Sequence, residues 1–74
     1  MMNDTEILKA LGYNIRMLRS TQGYSQESFA HHAELDRGYM GGIERGERNL
    51  ATLNLVKIAR ALNVSVSELF EGIK

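Results

Sequence analysis

The sequence predicts an all-α protein, a compact single domain of five short helices spanning its 74 residues. Three observations lead there. Apolar residues make up 43% of the chain, but there is no proline and little in the way of β-branched runs, so the apolar content suits helix packing. Apolar positions recur at helical spacing in successive short segments. Three of those segments open on a Ser or Asp flanked by apolar residues at staple spacing, the local signature of a helix N-terminus. A chain of this length has room for one small core. Without cysteine, neither disulfides nor thiolate metal sites brace it.

The first helix is expected at about residues 5–22, capped by Thr5 or Asp4, with Leu8, Leu11, Ile15 and Leu18 forming its apolar stripe. Gly12 sits inside it, at about 0.5–1 kcal/mol against alanine. One continuous helix, with the missing side chain allowing close packing, is favoured over a start after Gly12. Gly23 supplies the stop. Helix two, about 26–33, has Ser25 as cap, Tyr24 and Phe29 as staple, and Ala30 and Ala33 on its inner face. Helix three, about 37–45, has Asp36 as cap, Leu35 and Met40 as staple, and Ile43 on the inner face before Gly46. A polar connector ERNLAT (47–52) leads to helix four, about 51–62, with Leu55, Ile58, Ala59 and Leu62 inward and either Asn49 or Thr52 as cap. Helix five, about 66–71, opens on a Ser65–Glu68 capping box with Val64 and Leu69 as staple.

The stretch Ser25–Gly46, SQESFAHHAELDRGYMGGIERG, is the informative one. Two short helices across a tight turn make a helix-turn-helix unit. The second helix of such a unit commonly enters the DNA major groove, so sequence-specific binding of double-stranded DNA is the expectation. Bulk charge lends no support. Nine Lys and Arg balance nine Asp and Glu, and the span from Arg16 to Asn49 carries five of each. Nucleic-acid binders usually draw on a basic excess. Neutrality predicts weak non-specific binding by one copy and makes dimerisation more necessary.

Four segments, IRMLR (15–19), SQESFA (25–30), LDRGYMGGIERGERN (35–49) and LVKIARALNVSVSELF (55–70), resemble the phage-repressor and Cro type (Xre-like) of helix-turn-helix transcriptional regulator. Among these, the small controller proteins of restriction–modification systems look most similar. The resemblance implies a lambda-repressor-like DNA-binding domain over about residues 12–71. It implies base readout by Arg37, Gly38 and Tyr39 at the start of the recognition helix, Arg37 being suited to guanine O6 and N7. Backbone contacts are implied for Ser25, Gln26, Arg45, Arg48, Asn49 and Thr52, with Asn54 a further candidate. Arg19 and Glu44 resemble the family's partly buried structural ion pair. Against these stand plainer readings: Arg37 paired with Glu34 or Asp36, Tyr39 covering the core, and Arg45 and Arg48 paired with Glu44 and Glu47. The pair Gly41 and Gly42 is open to three readings: close approach to DNA, close packing against helix two, or a helix fully formed only on the operator. Glu34 departs from the pattern, standing where the turn usually has glycine at positive φ.

The expected unit is a homodimer on a roughly palindromic operator, because such proteins bind paired half-sites about one helical turn apart. Leu53, Val56, Phe70 and Ile73 are the candidate dimer face. RNA polymerase is a second implied partner. The alternative is an antitoxin-like or adaptor module that uses the same fold to bind protein. Nothing calls for a cofactor, a metal, a small-molecule ligand or catalysis. His31 and His32 are adjacent and diverge by about 100° on a helix, so they are expected on the exposed side of helix two. No apolar run suits a membrane span and no signal-peptide pattern opens the chain, so a cytoplasmic protein is expected.

Overall fold

Asn3 opens the first helix. Its Oδ1 accepts from the Glu6 amide at 2.8 Å, and its own amide donates to Glu6 Oε1 at 2.9 Å. This reciprocal box starts α1 (Asp4–Thr21) ahead of both caps expected from sequence, Thr5 and Asp4, which lie inside the first turn. The computed structural model describes residues 1–74 and continues with α2 (Gln26–His32), α3 (Arg37–Glu44), α4 (Thr52–Leu62) and α5 (Val66–Leu69), with no strand. Ser25, Asp36 and Ser65 cap α2, α3 and α5 through their side chains. Two further ends depart from expectation. Helix α4 opens on Ala51 with no side-chain cap, in place of Asn49 or Thr52, and it closes on Asn63 in the left-handed region at φ 57°. Helix α5 is a single turn that stops at Leu69. Beyond it the amides of Phe70 and Glu71 donate three residues back, to Ser67 and Glu68, Gly72 takes φ 79°, and the Asn14 amide holds the carbonyls of Leu69 and Glu71 at 2.9 and 3.0 Å.

The core is one cluster drawn from all five helices and the α2–α3 turn: Leu11 and Ile15, Phe29, Ala30 and Ala33, Met40 and Ile43, Ile58, Ala59 and Leu62, and Leu69. Leu18 and Leu55, expected in it, are half-buried at its edge, and Leu8, expected on the same stripe of α1, is half-buried and lies outside the cluster. The staples position the helix entries. Tyr24 meets Phe29 edge-on with ring centroids 5.4 Å apart, and this fixes how the chain turns from α1 into α2. Every buried side-chain nitrogen and oxygen has a partner. No helix is long and apolar enough to cross a membrane.

The helix α1 is continuous through Gly12, and the reason lies across the core. A methyl group there would fall against the carbonyl oxygens of Ile43 and Glu44, 2.7 Å from the latter. Backbones of α1 and α3 meet at this point, and Gly12 is what lets α3 sit so close. Gly12→Ala should therefore lower stability by about 1–3 kcal/mol through overpacking, despite alanine's better helix propensity. In a domain of this size that is a fall in Tm of at least roughly 4 °C, measurable by thermal melting. A melting temperature equal to or above that of the parent would show slack at the crossing.

Candidate nucleic-acid interface

The turn between α2 and α3 is set by backbone geometry. Ala33 closes α2, and Glu34 then takes φ 59°, a left-handed conformation at an expense of order 1 kcal/mol for a residue with a side chain. The chain is held there because the Leu35 amide donates back to Ala30 at 2.8 Å and the Leu35 side chain packs on the core. Asp36 follows at once as the cap of α3, its carboxylate accepting from the Tyr39 amide at 3.0 Å. The turn thus has the geometry expected for glycine, carried by a glutamate.

A polar network locks this unit to α1. Arg19 grips Glu44 with two donors, Nε to Oε2 at 2.7 Å and Nη2 to Oε1 at 3.0 Å, and its Nη1 donates to the Tyr24 carbonyl at 2.8 Å. The side chains are 11% and 4% exposed. Gln26 adds a third link by donating from Nε2 to Glu44 Oε1 at 3.1 Å. One carboxylate therefore ties the end of α1, the start of α2 and the end of α3 together. Its charge is taken up internally and does not project towards a ligand.

On the outer side, Gln26, Arg37, Gly38, Gly41 and Arg45 line a shallow depression with no apolar wall and no carboxylate. Arg37 is 67% exposed and its Nε lies 3.9 Å from Glu27, so its nearest acid is across the turn on α2 and not Glu34 or Asp36. Arg45 pairs with Glu47 at 3.0 Å, again exposed. Such exposed pairs contribute about 0–1 kcal/mol and exchange readily for another anion. Arg48 does not pair with acid. Its guanidinium lies over the Tyr39 ring, 5.9 Å from the centroid. The Tyr39 hydroxyl accepts from Asn54 Nδ2 at 3.0 Å, while the body of the ring packs on the core. Ser25, Asn49 and Thr52 are exposed near by in sequence, the last at the first position of α4.

The paired glycines answer to side chains. A methyl group on Gly41 would stand 3.1 Å from Arg45 Nη1 and 3.2 Å from Gln26 Oε1. On Gly42 it would stand 2.8 Å from Arg48 Cγ. Both are buried, and the bare backbone is the floor on which the Gln26, Arg45 and Arg48 side chains rest. Elsewhere, His31 and His32 are exposed, His32 stacking on Tyr24 at 5.2 Å, and no group of His, Asp and Glu is arranged for a metal. Of the candidate dimer residues, Leu53 is 75% exposed and Val56 half-buried, whereas Phe70 and Ile73 pack partly on the core. The link from Asn54 to Tyr39 and the Asn14 clamp on α5 are two of the polar contacts that sequence reasoning did not reach. They join residues 15 and 55 or more apart and leave no local pattern.

Residues 15–69 match the HTH_3 helix-turn-helix family. The chain is 43% identical to the control protein C.MunI of a Mycoplasma species over 99% of its own length and 97% of that protein's. It is 39% identical to the control protein C.SmaI of Serratia marcescens, covering 93% and 84%. Among solved structures it is similar to the restriction–modification controller protein C.AhdI from Aeromonas hydrophila, with a TM-score of 0.83 and 46% identity over 85% of this chain and 96% of that one.

Removing one partner of the buried network should be far more damaging than removing the charges together. Arg19→Met leaves Glu44 without its counter-ion and should lower stability by about 3 kcal/mol or more in urea denaturation. Adding Glu44→Gln removes the stranded charge and should return a measurable part of that loss. A double variant no more stable than Arg19→Met would show that packing, not charge, holds the three helices.

Proposed function

The chain belongs to the HTH_3 helix-turn-helix family and is a DNA-binding transcriptional regulator, and we propose that it works as a homodimer on a roughly palindromic operator with α3 in the major groove. The observation that carries the reading is the depression between α2 and α3. It joins two exposed guanidinium groups, an amide side chain and bare helix backbone; Glu44 is neutralised internally by Arg19, and Glu27 and Glu47 hold Arg37 and Arg45 only in exposed pairs. Such a surface suits a phosphodiester backbone passing over Gln26 and Arg45 while Arg37 and Tyr39 reach base edges. Arg48, Asn49, Ser25 and Thr52 extend the backbone contacts on either side. The exposure of Leu53 beside Val56 supports a dimer built on the α4 face, continued by Phe70 and Ile73. Its similarity to control proteins along nearly their whole length supports a controller of a restriction–modification locus, acting in the cytoplasm. In this reading it acts by occupying its operator and so excluding or engaging RNA polymerase. It is a regulator and not an enzyme.

Selection from random duplex DNA tests the whole reading. It should enrich two inverted half-sites whose centres lie about one helical turn apart. A pool with no enrichment would sink it. Arg37→Ala should weaken binding by about 1–3 kcal/mol per half-site and relax preference at one base position in each. Arg45→Ala should weaken all sequences alike and flatten the salt dependence by about one unit per half-site. Identical effects of the two substitutions would remove the division between base and backbone contacts.

Leu53→Asp addresses the dimer, at a side chain exposed enough for the fold to tolerate the change. Sedimentation should show a shift to monomer at micromolar concentration with the helical content at room temperature preserved, and a melting temperature that no longer rises with protein concentration. A dimer of undiminished strength would place the interface elsewhere.

A further inference from the structure

We propose that Asn54 is a positioning residue for Tyr39: by donating to the phenolic oxygen it leaves that hydroxyl a proton to give, so the DNA group that Tyr39 meets is an acceptor. The proposal rests on the reading of Tyr39 as a DNA contact. Asn54 stands at the third position of α4, just before Leu55, Ile58 and Ala59 anchor that helix on the core, so its amide is held on a rigid element. Nδ2 donates to the Tyr39 oxygen at 3.0 Å. A phenol carries one proton and accepts through its oxygen. A free tyrosine turns its hydroxyl either way and serves adenine N6 or cytosine N4 as well as it serves an acceptor. Here the accepting role is taken up by Asn54, and the polarised O–H is left as a stronger outward donor. The Arg48 guanidinium over the ring and the core beneath it hold the tyrosine in this attitude. The acceptors on offer are thymine O4, guanine O6 or N7, adenine N7 and the phosphate oxygens. Amino-bearing edges are refused. On a recognition helix with glycine at 38, 41 and 42, such a constraint on one tyrosine carries a large share of discrimination.

The test compares wild type, Tyr39→Phe, Asn54→Ala, Asn54→Asp and the Tyr39→Phe/Asn54→Ala double variant. Each is measured by fluorescence anisotropy on the best selected duplex and all its single-base variants, with thermal melts to verify folding. Asn54→Ala should erode preference at one base position by roughly three- to tenfold, the worth of one hydrogen bond, and leave the Arg37 position intact. In the Tyr39→Phe background the same substitution should be silent, because the group it positions is gone. Asn54→Asp keeps the size but accepts the phenolic proton, and should turn preference at that position towards adenine N6 or cytosine N4. Even losses across all sequences for Tyr39→Phe and Asn54→Ala, still non-additive, would assign the acceptor to a phosphate oxygen and keep the inference. Additive losses would overturn it and make Asn54 a DNA contact in its own right. An effect of Tyr39→Phe without one of Asn54→Ala would overturn it alone. A silent Tyr39→Phe would overturn it together with the role of Tyr39 on which it rests.

Discussion

Glu44 is the residue on which the geometry of the proposed DNA face turns. It closes α3, and its carboxylate is shared between the Arg19 fork of α1 and the Gln26 amide at the head of α2. Burying two charges is expensive, and a well-packed apolar pair often serves stability equally well. What an apolar pair does not supply is direction. The two-pronged Arg19 contact fixes the angle of α3 against α1, and the third bond fixes the Gln26 side chain, whose remaining oxygen lies over Gly41. The backbone contact at Gly12 sets the distance for the same pair of helices. Angle and distance between α1 and α3 are thus determined at one crossing, and the position of Arg37 and Tyr39 follows from them.

The same arrangement explains how a neutral chain presents a surface suited to a polyanion. Glu44 is spent internally. Glu27 and Glu47 hold Arg37 and Arg45 in exposed pairs whose energies fall within the range that a phosphate or a base edge replaces easily. Arg48 is laid along the helix by Gly42 and over Tyr39. Charge is therefore distributed by position: Glu44 faces inward, Glu27 and Glu47 sit in weak exposed pairs, and three guanidinium groups stay near the start and end of α3. Counting charges along the sequence misses this, since five acids and five bases between Arg16 and Asn49 cancel on paper.

What was legible in the sequence is what local chemistry determines. Ser25, Asp36 and Ser65 gave their helices because a cap acts within four residues and the staples Tyr24–Phe29, Leu35–Met40 and Val64–Leu69 repeat the same message. Asn3 was harder because Asn3, Asp4 and Thr5 are all good caps in a row, and only the Glu6 partner separates them. Ala51 offers no side chain to read. Asn63, by contrast, ends α4 with a conformation that asparagine favours, a signal present in the sequence but quieter than glycine. The resemblance to phage repressors supplied the pairing of Arg19 with Glu44. Composition and periodicity did not. Long-range polar contacts, such as Gln26 with Glu44 and Asn54 with Tyr39, depend on helices meeting in space, and neither periodicity nor capping encodes them.

Neutrality then becomes part of the proposed mechanism. A protein that neutralises few phosphates gains little from counterion release, so its affinity for arbitrary DNA stays low. Its base contacts are correspondingly a larger fraction of the total, but a single α3 with Arg37 and Tyr39 as its readers is too short of contacts to hold a site alone. Joining two copies makes the second half-site an intramolecular partner at high effective concentration, which multiplies affinity only where both half-sites are present at the right spacing. Adding lysines would raise affinity everywhere and lose that selectivity. In the proposed dimer, a constrained tyrosine and one arginine per half-site, repeated by symmetry, would raise affinity only on the matched operator. The balance of charge that argues against DNA binding in one copy therefore favours discrimination in two.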